Sequence, residues 1–155
     1  LRPSNVIGIQ ASDRFFPRLI KLIRRNQFFY IGRAGAIAAY VHVDDVVAAL
    51  IALATLPDAK GQIYNLSFDC KLEEIVNHIA AKLGTHAPRI RAPSPLVQMP
   101  IHAFNAIFGK WVRLPSFNSL TSRTCYPTTK IETELGFSFS RPLPEAIDEL
   151  IEVRS

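Results

Sequence analysis

The sequence predicts a mixed α/β protein, and three observations carry that reading. Short runs rich in β-branched and aromatic residues alternate with segments whose apolar residues recur at helical spacing. Glycine or proline punctuates most of the joints between them. The chain has 155 residues, 48% of them apolar and 20% charged, enough to bury a core of its own without disulfide staples. That balance excludes a disordered tail, a collagen-like chain and a low-complexity tract.

The elements follow in order. Leu1 to Gly8 reads as a strand that ends at a glycine turn. Phe15 to Asn26 reads as a helix, with Phe15, Leu19, Leu22 and Ile23 on its apolar stripe and Arg14, Arg18, Lys21 and Arg25 on another. Pro17 fits its first turn, where a missing N–H costs nothing. Phe28 to Gly32 is a short aromatic strand, Gly32 to Gly35 a turn, and Ala39 to Val43 a second strand, which together read as a hairpin. Asp44 or Asp45 is placed to cap a helix running to about Ala54, worth about 1 kcal/mol. Val46 to Ala54 is an unbroken apolar run, so that helix is expected to be buried on most faces. Gln62 to Ser67 is a strand. Leu72 to Leu83 is a helix with Leu72, Ile75, Val76, Ile79 and Leu83 inward and Gly84 as its stop. Arg89 to Ala92 is a short strand. Prolines 93, 95 and 100 precede a helix running to about Phe108. Thr128 to Leu135 is a short helix stopped by Gly136, and Pro144 to Val153 closes the chain with Ile147, Leu150 and Ile151 inward.

Composition bounds the function. Lys plus Arg exceeds Asp plus Glu by 18 − 13 = 5, and six of the basic residues lie between Arg14 and Arg33. Such a face suits an anion nearby, whether phosphates, nucleic acid or a membrane surface, although a solvated helix face explains it better. The nine-residue run at Val46–Ala54 is about half of what a bilayer span needs. With Cys70 and Cys125 as the only cysteines, no disulfide framework is expected, and reduced thiols in a cytoplasmic protein fit better. The four histidines are scattered and form no metal-ligand spacing; no metal is expected.

Two apparent catalytic signatures lose their force on inspection. Gly32-Arg-Ala-Gly35-Ala-Ile-Ala38 has the outline of a dinucleotide loop, but such a loop needs a helix N-terminus directly after the glycines, and here a β-type stretch follows. Tyr126-Pro-Thr-Thr-Lys130 has the spacing of a Tyr-x-x-x-Lys acid–base pair, which needs both side chains on one helix face. Pro127 pushes Tyr126 out of helical geometry. No catalytic residue is therefore assigned in this chain.

What remains is a set of local patterns in a fixed order. Leu1-Arg-Pro-Ser-Asn-Val-Ile-Gly8 resembles the "Arg-Pro-x-Asn-Val-Tyr-Gly" strand end of the extended short-chain dehydrogenase/reductase family, the NAD-dependent nucleotide-sugar epimerases and dehydratases. Phe15-Phe-Pro-Arg-Leu-Ile is similar to the helix that follows there. Tyr40-Val-His-Val-Asp-Asp-Val46 is the most specific match. Gly61-Gln-Ile-Tyr-Asn-Leu66 and Lys130 with Glu134-Leu-Gly-Phe137 complete the series, which runs from Leu1 to about Val153. The resemblance implies a Rossmann-type fold with a smaller α/β substrate-binding domain. Residues 1–155 would be the C-terminal substrate-binding region, with residues 1–8 and about 39–54 completing the nucleotide-binding sheet. The glycine-rich loop and the catalytic Tyr-x-x-x-Lys would lie in an N-terminal half upstream. Leu1, opening in mid-strand, is read as the cut edge of a longer protein.

The resemblance also implies roles. Pro3, Ser4 and Asn5 would pass beside the nicotinamide of NAD or NADP, which the upstream half would mainly hold. Asn5 would also reach the sugar diphosphate. The family's arginine two residues before the Tyr of Tyr-x-His-Val is Ala38 here, and Ala39 follows it. The diphosphate clamp would then come from Arg14, Arg18, Arg33 or Arg123, with Tyr30 near the base and Tyr126 at the pocket lip. His42 is expected to be structural. The implied partners are a nucleotide-sugar substrate and the chain's own N-terminal domain, with a homodimer formed through that domain; neither nucleic acid nor a membrane is expected. Two other readings share the fold: a reductase or dehydrogenase acting on a non-nucleotide, hydroxysteroid-like alcohol, and a non-catalytic cofactor-sensing regulator.

Overall fold

The computed structural model describes residues 1–9, 15–93 and 120–153. Its elements in order are β1 (Arg2–Pro3), β2 (Asn5–Ile7), α1 (Phe15–Arg24), β3 (Tyr30–Ile31), β4 (Ile37–His42), α2 (Val43–Thr55), β5 (Asn65–Leu66), β6 (Phe68–Lys71), α3 (Leu72–Lys82), β7 (Arg91–Ala92), α4 (Thr129–Leu135) and α5 (Leu143–Glu152). The expected helix through Phe108 lies outside the described residues. No described helix is long and apolar enough to cross a membrane.

Two compact units divide the chain, one built from Leu1–Pro17, Ala39–Cys70 and Thr124–Ser155, the other from Arg18–Ala38 and Lys71–Arg123. In the first unit β1 pairs in parallel with β5, setting Arg2 opposite Asn65. β2 pairs in parallel with β4, setting Asn5 opposite Tyr40 and Ile7 opposite His42, and β6 lies on β4's other edge. β4 reads Ile-Ala-Ala-Tyr-Val-His and is buried along nearly its whole length, as a central parallel strand covered on both faces must be. The core of this unit gathers Val41, Ala49, Tyr64, Leu66 and Ile131, flanked by Val6, Val46, Leu53 and Phe137. Phe15 and Phe16, at the start of α1, pack their rings on Tyr40.

In the second unit β3 pairs in parallel with β7. α1 ends in a left-handed turn at Asn26 (φ 54°), where the N–H groups of Asn26 and Gln27 close on Ile23 and Leu22 carbonyls. α3 ends the same way at Gly84 (φ 65°). Leu72, Ile75, Val76 and Ile79 are its buried stripe, as their spacing predicts.

Four expectations need correction. β3 and β4 are not a hairpin: β3 pairs in parallel with β7 and β4 with β2, because both strands are buried and each is flanked by a strand distant in sequence instead of by the other. The α2 cap is His42, whose Nδ1 accepts from the Asp44 N–H at 3.2 Å. Asp45 instead turns inward and accepts from Ser140 N and Oγ and from Arg141 N. α2 is not buried on most faces either: Val46, Ala49 and Leu53 face the core, while Val43, Val47, Leu50 and Ile51 are exposed. Leu22 leaves the α1 stripe and is exposed, its place taken by Phe16 and Ile20.

Candidate functional site

The site begins with a strand that changes partners. Arg2 donates its N–H to Tyr64 O and Ser4 to Leu66 O, so this stretch follows β5. From Asn5 onward the backbone follows β4 instead. The two ladders part at Ser4, and the fork opens a depression of about 500 Å³ lined by Arg2, Pro3, Ser4, Asn5, Asn65 and Tyr126. In open parallel sheets, ligands sit where strand order diverges, because side chains there are not consumed by packing. The Asn5 side chain pins the fork by donating Nδ2 to Ala39 O at 3.2 Å.

Tyr126 is brought to this depression by Asp69. One carboxylate oxygen of Asp69 accepts the Tyr126 N–H at 2.6 Å, and the other accepts from Ser67 Oγ. Both oxygens are satisfied, so Asp69 acts as a brace between β6 and the segment ahead of α4. Tyr126 precedes α4, which starts at Thr129. Lys130 directs Nζ to Gln62 Oε1 at 2.8 Å and lies 4.9 Å from the centroid of the Tyr64 ring. It serves the α4 surface.

The lining is rich in donors. Ser4 Oγ is buried with no hydrogen-bond partner, a situation that costs about 1–3 kcal/mol if nothing fills it. Among the described residues, no side chain pairs with the Arg2 guanidinium or the Asn65 amide.

The remaining expected site residues are not among the residues lining this depression. Arg14 falls outside the described residues. Arg18 is exposed on α1, and Arg33 is exposed in the turn after β3. Arg123 is bonded to Ala34 O. Tyr30 was expected beside a base, but its ring is buried, packed edge-on against Phe28 and covered by Arg91 at 4.6 Å. Arg91 also donates to Glu73 Oε1 at 2.9 Å and to Gly32 O, and the same Glu73 oxygen accepts from Gly35 N at 3.1 Å. Burial raises the Tyr30 phenol above its ordinary value, the Glu73 carboxylate adds to this and Arg91 opposes it. Burial pushes Glu73 up, but the N–H groups of Gly35 and Glu73 itself together with Arg91 outweigh that, and its carboxyl ends below its ordinary value. This knot locks the Gly32–Gly35 turn, at whose glycines φ is 72° and 88°.

Sequence reasoning missed Arg2, Asn65 and Asp69. The first two stand inside the motifs that carried the resemblance, and only the β1–β5 register places them opposite each other. Asp69 gives no local signal, since its partner is 57 residues away.

Residues 1–67 match the model of the NAD dependent epimerase/dehydratase family. No curated protein sequence matches the chain. Among solved structures, gox2253 is 19% identical with a TM-score of 0.65, over 97% of this chain and 46% of that one. UDP-glucuronic acid 4-epimerase from Bacillus cereus, in complex with NAD, is 16% identical with a TM-score of 0.63, over 99% and 44%. The human epimerase family protein SDR39U1, with NADPH, is 18% identical with a TM-score of 0.62, over 97% and 47%. The chain thus shares the Rossmann-like fold of these structures, and spans somewhat less than half the length of these neighbours.

Proposed function

We propose that this chain is the C-terminal, substrate-binding part of an NAD(P)-dependent nucleotide-sugar epimerase or dehydratase, with residues 1–8 and about 39–54 completing its nucleotide-binding sheet. The observation that carries the reading is the convergence of two motif segments, Arg2–Asn5 and Asn65, with Tyr126 on one depression at a strand fork. The cofactor, when bound, would supply a hydride acceptor and donor for a sugar carbon. The protein's part is orientation. Pro3 and Ser4 offer a flat edge and a free hydroxyl toward the nicotinamide, Asn5 keeps its carbonyl and one N–H available, and Tyr126 walls the depression from the α4 side. The orphaned Ser4 hydroxyl supports a polar ligand there.

Titration of the protein with UDP, GDP and dTDP by calorimetry tests this: heat with one of them is expected. No heat with any nucleoside diphosphate would count against a sugar-nucleotide substrate.

A second reading keeps the fold and replaces the substrate with a non-nucleotide alcohol. Two observations favour it: Ala38 stands where the family's clamping arginine belongs, and Tyr30 is sealed beneath Arg91.

A further inference from the structure

We infer that His42 is a proton-operated switch of the α2 cap: neutral, it accepts the Asp44 N–H, and charged, it gives up that bond and ties Asp44 to Glu149 of α5. The described groups that face its ring all belong to one compact unit of this chain, so the inference stands apart from the reading above. His42 is buried at the end of β4. On α2, the Asp44 N lies 3.2 Å from Nδ1 and the Asp44 carboxylate 3.5 Å from it. On α5, the Glu149 carboxylate lies 3.6 Å from Nε2. Arg141, just before α5, reaches both acids, Glu149 Oε1 at 2.7 Å and Asp44 Oδ2 at 3.8 Å. Asp45 has both oxygens engaged by Ser140 and the Arg141 N–H and takes no part.

An imidazole nitrogen that accepts a hydrogen bond carries no proton. Bonded this way, neutral His42 carries its proton on Nε2, toward Glu149, and presents the Nδ1 lone pair to the first turn of α2. The Nδ1 lone pair and an Asp44 oxygen then stand 3.5 Å apart, two acceptors with no proton between them. Two carboxylates face one guanidinium around the ring, which leaves one negative charge in excess. A proton on Nδ1 cancels it. The same proton turns Nδ1 from acceptor to donor, so the Asp44 N–H loses its cap while the Asp44 carboxylate gains a partner. The Nε2–H, now on a cation, pulls harder on Glu149. Histidine is the side chain whose charge ordinarily changes between about pH 5 and 8, and the exposed Asp44 carboxylate gives the proton a short way in from water. Mild acid should therefore loosen the first turn of α2 and fasten α5 to it.

The test is NMR on the protein with labelled histidine rings and backbone amides, followed from about pH 8.5 down to about pH 5, above the ordinary carboxylate range. At the alkaline end Nε2 is expected to be protonated and Nδ1 bare. On acidification the Asp44 amide should shift along the same curve as the His42 ring. Its exchange protection should fall about threefold or more, while that of Leu150 and Ile151 in α5 rises by a similar factor. In Glu149→Gln the Asp44 amide should still follow the ring, but the α5 amides should no longer respond. A proton on Nδ1 at the alkaline end overturns the inference, as does a ring that stays neutral throughout. So does an Asp44 amide indifferent to the ring, or an α5 response that survives Glu149→Gln.

Discussion

Glu73 shows how one carboxylate can fix a turn. Its Oε1 meets both the Gly35 N–H and the Arg91 guanidinium, while Arg91 reaches on to Gly32 O and covers Tyr30. The carboxyl is held below its ordinary value. A group with a depressed folded-state value gives stability that is present above its unfolded value, about 4.3 for glutamate, and lost as pH falls through the folded one. Glu73→Gln should therefore be less stable than the parent at neutral pH, and its stability should fall less on acidification. Urea midpoints for both chains at neutral pH and near pH ~3 check this; parallel losses in the two would refute it. Neither Glu73 nor Arg91 was legible beforehand, because helix α3 and strand β7 meet only through tertiary packing. Asp45 teaches the same lesson. Two adjacent acids ahead of an apolar run read as a cap, yet the cap is His42, and Asp45 spends its oxygens on Ser140 and Arg141, about 95 residues away.

At the scale of elements, what repeats locally was readable. The stripes of α3 and α5 and the stops at Gly84 and Gly136 follow from periodicity and from the left-handed backbone that glycine permits. What depends on a partner was not. β3 looked like one arm of a hairpin because Tyr30–Ile31 and Ile37–His42 are close in sequence, but parallel pairing with β7 and β2 decides their neighbours. The outer face of α2 was expected to be buried from its composition alone, and burial is set by what packs there. The Tyr126–Lys130 spacing was read correctly as no helix pair, since Pro127 delays the start of α4 to Thr129. Lys130 is engaged with Gln62. In an active enzyme containing this chain, Tyr126→Phe should lower kcat by less than about tenfold, the scale of one lost hydrogen bond. A loss beyond a hundredfold with KM unchanged would make Tyr126 a proton donor, since acid–base catalysis contributes about 10²–10⁴-fold.

On the scale of the molecule, the fold was legible because the motifs mark places where the backbone itself is constrained: a strand that changes partners at Ser4, a buried strand ending in a helix cap at His42, a parallel strand at Asn65. Of the expected site residues, Pro3, Ser4, Asn5 and Tyr126 line one depression, Arg18 and Arg33 are exposed, and Tyr30 is buried. Arg2 and Asn65 needed the register. The central claim is that cofactor and substrate meet at this fork and not at the glycine turn. The most direct measurement is the electron density of crystals of the protein grown with NADH. The account predicts the nicotinamide beside Pro3–Asn5, within reach of the Ser4 hydroxyl and the Asn5 carbonyl. A dinucleotide seated instead on the Gly32–Gly35 turn, with the Ser4 fork empty, would contradict it.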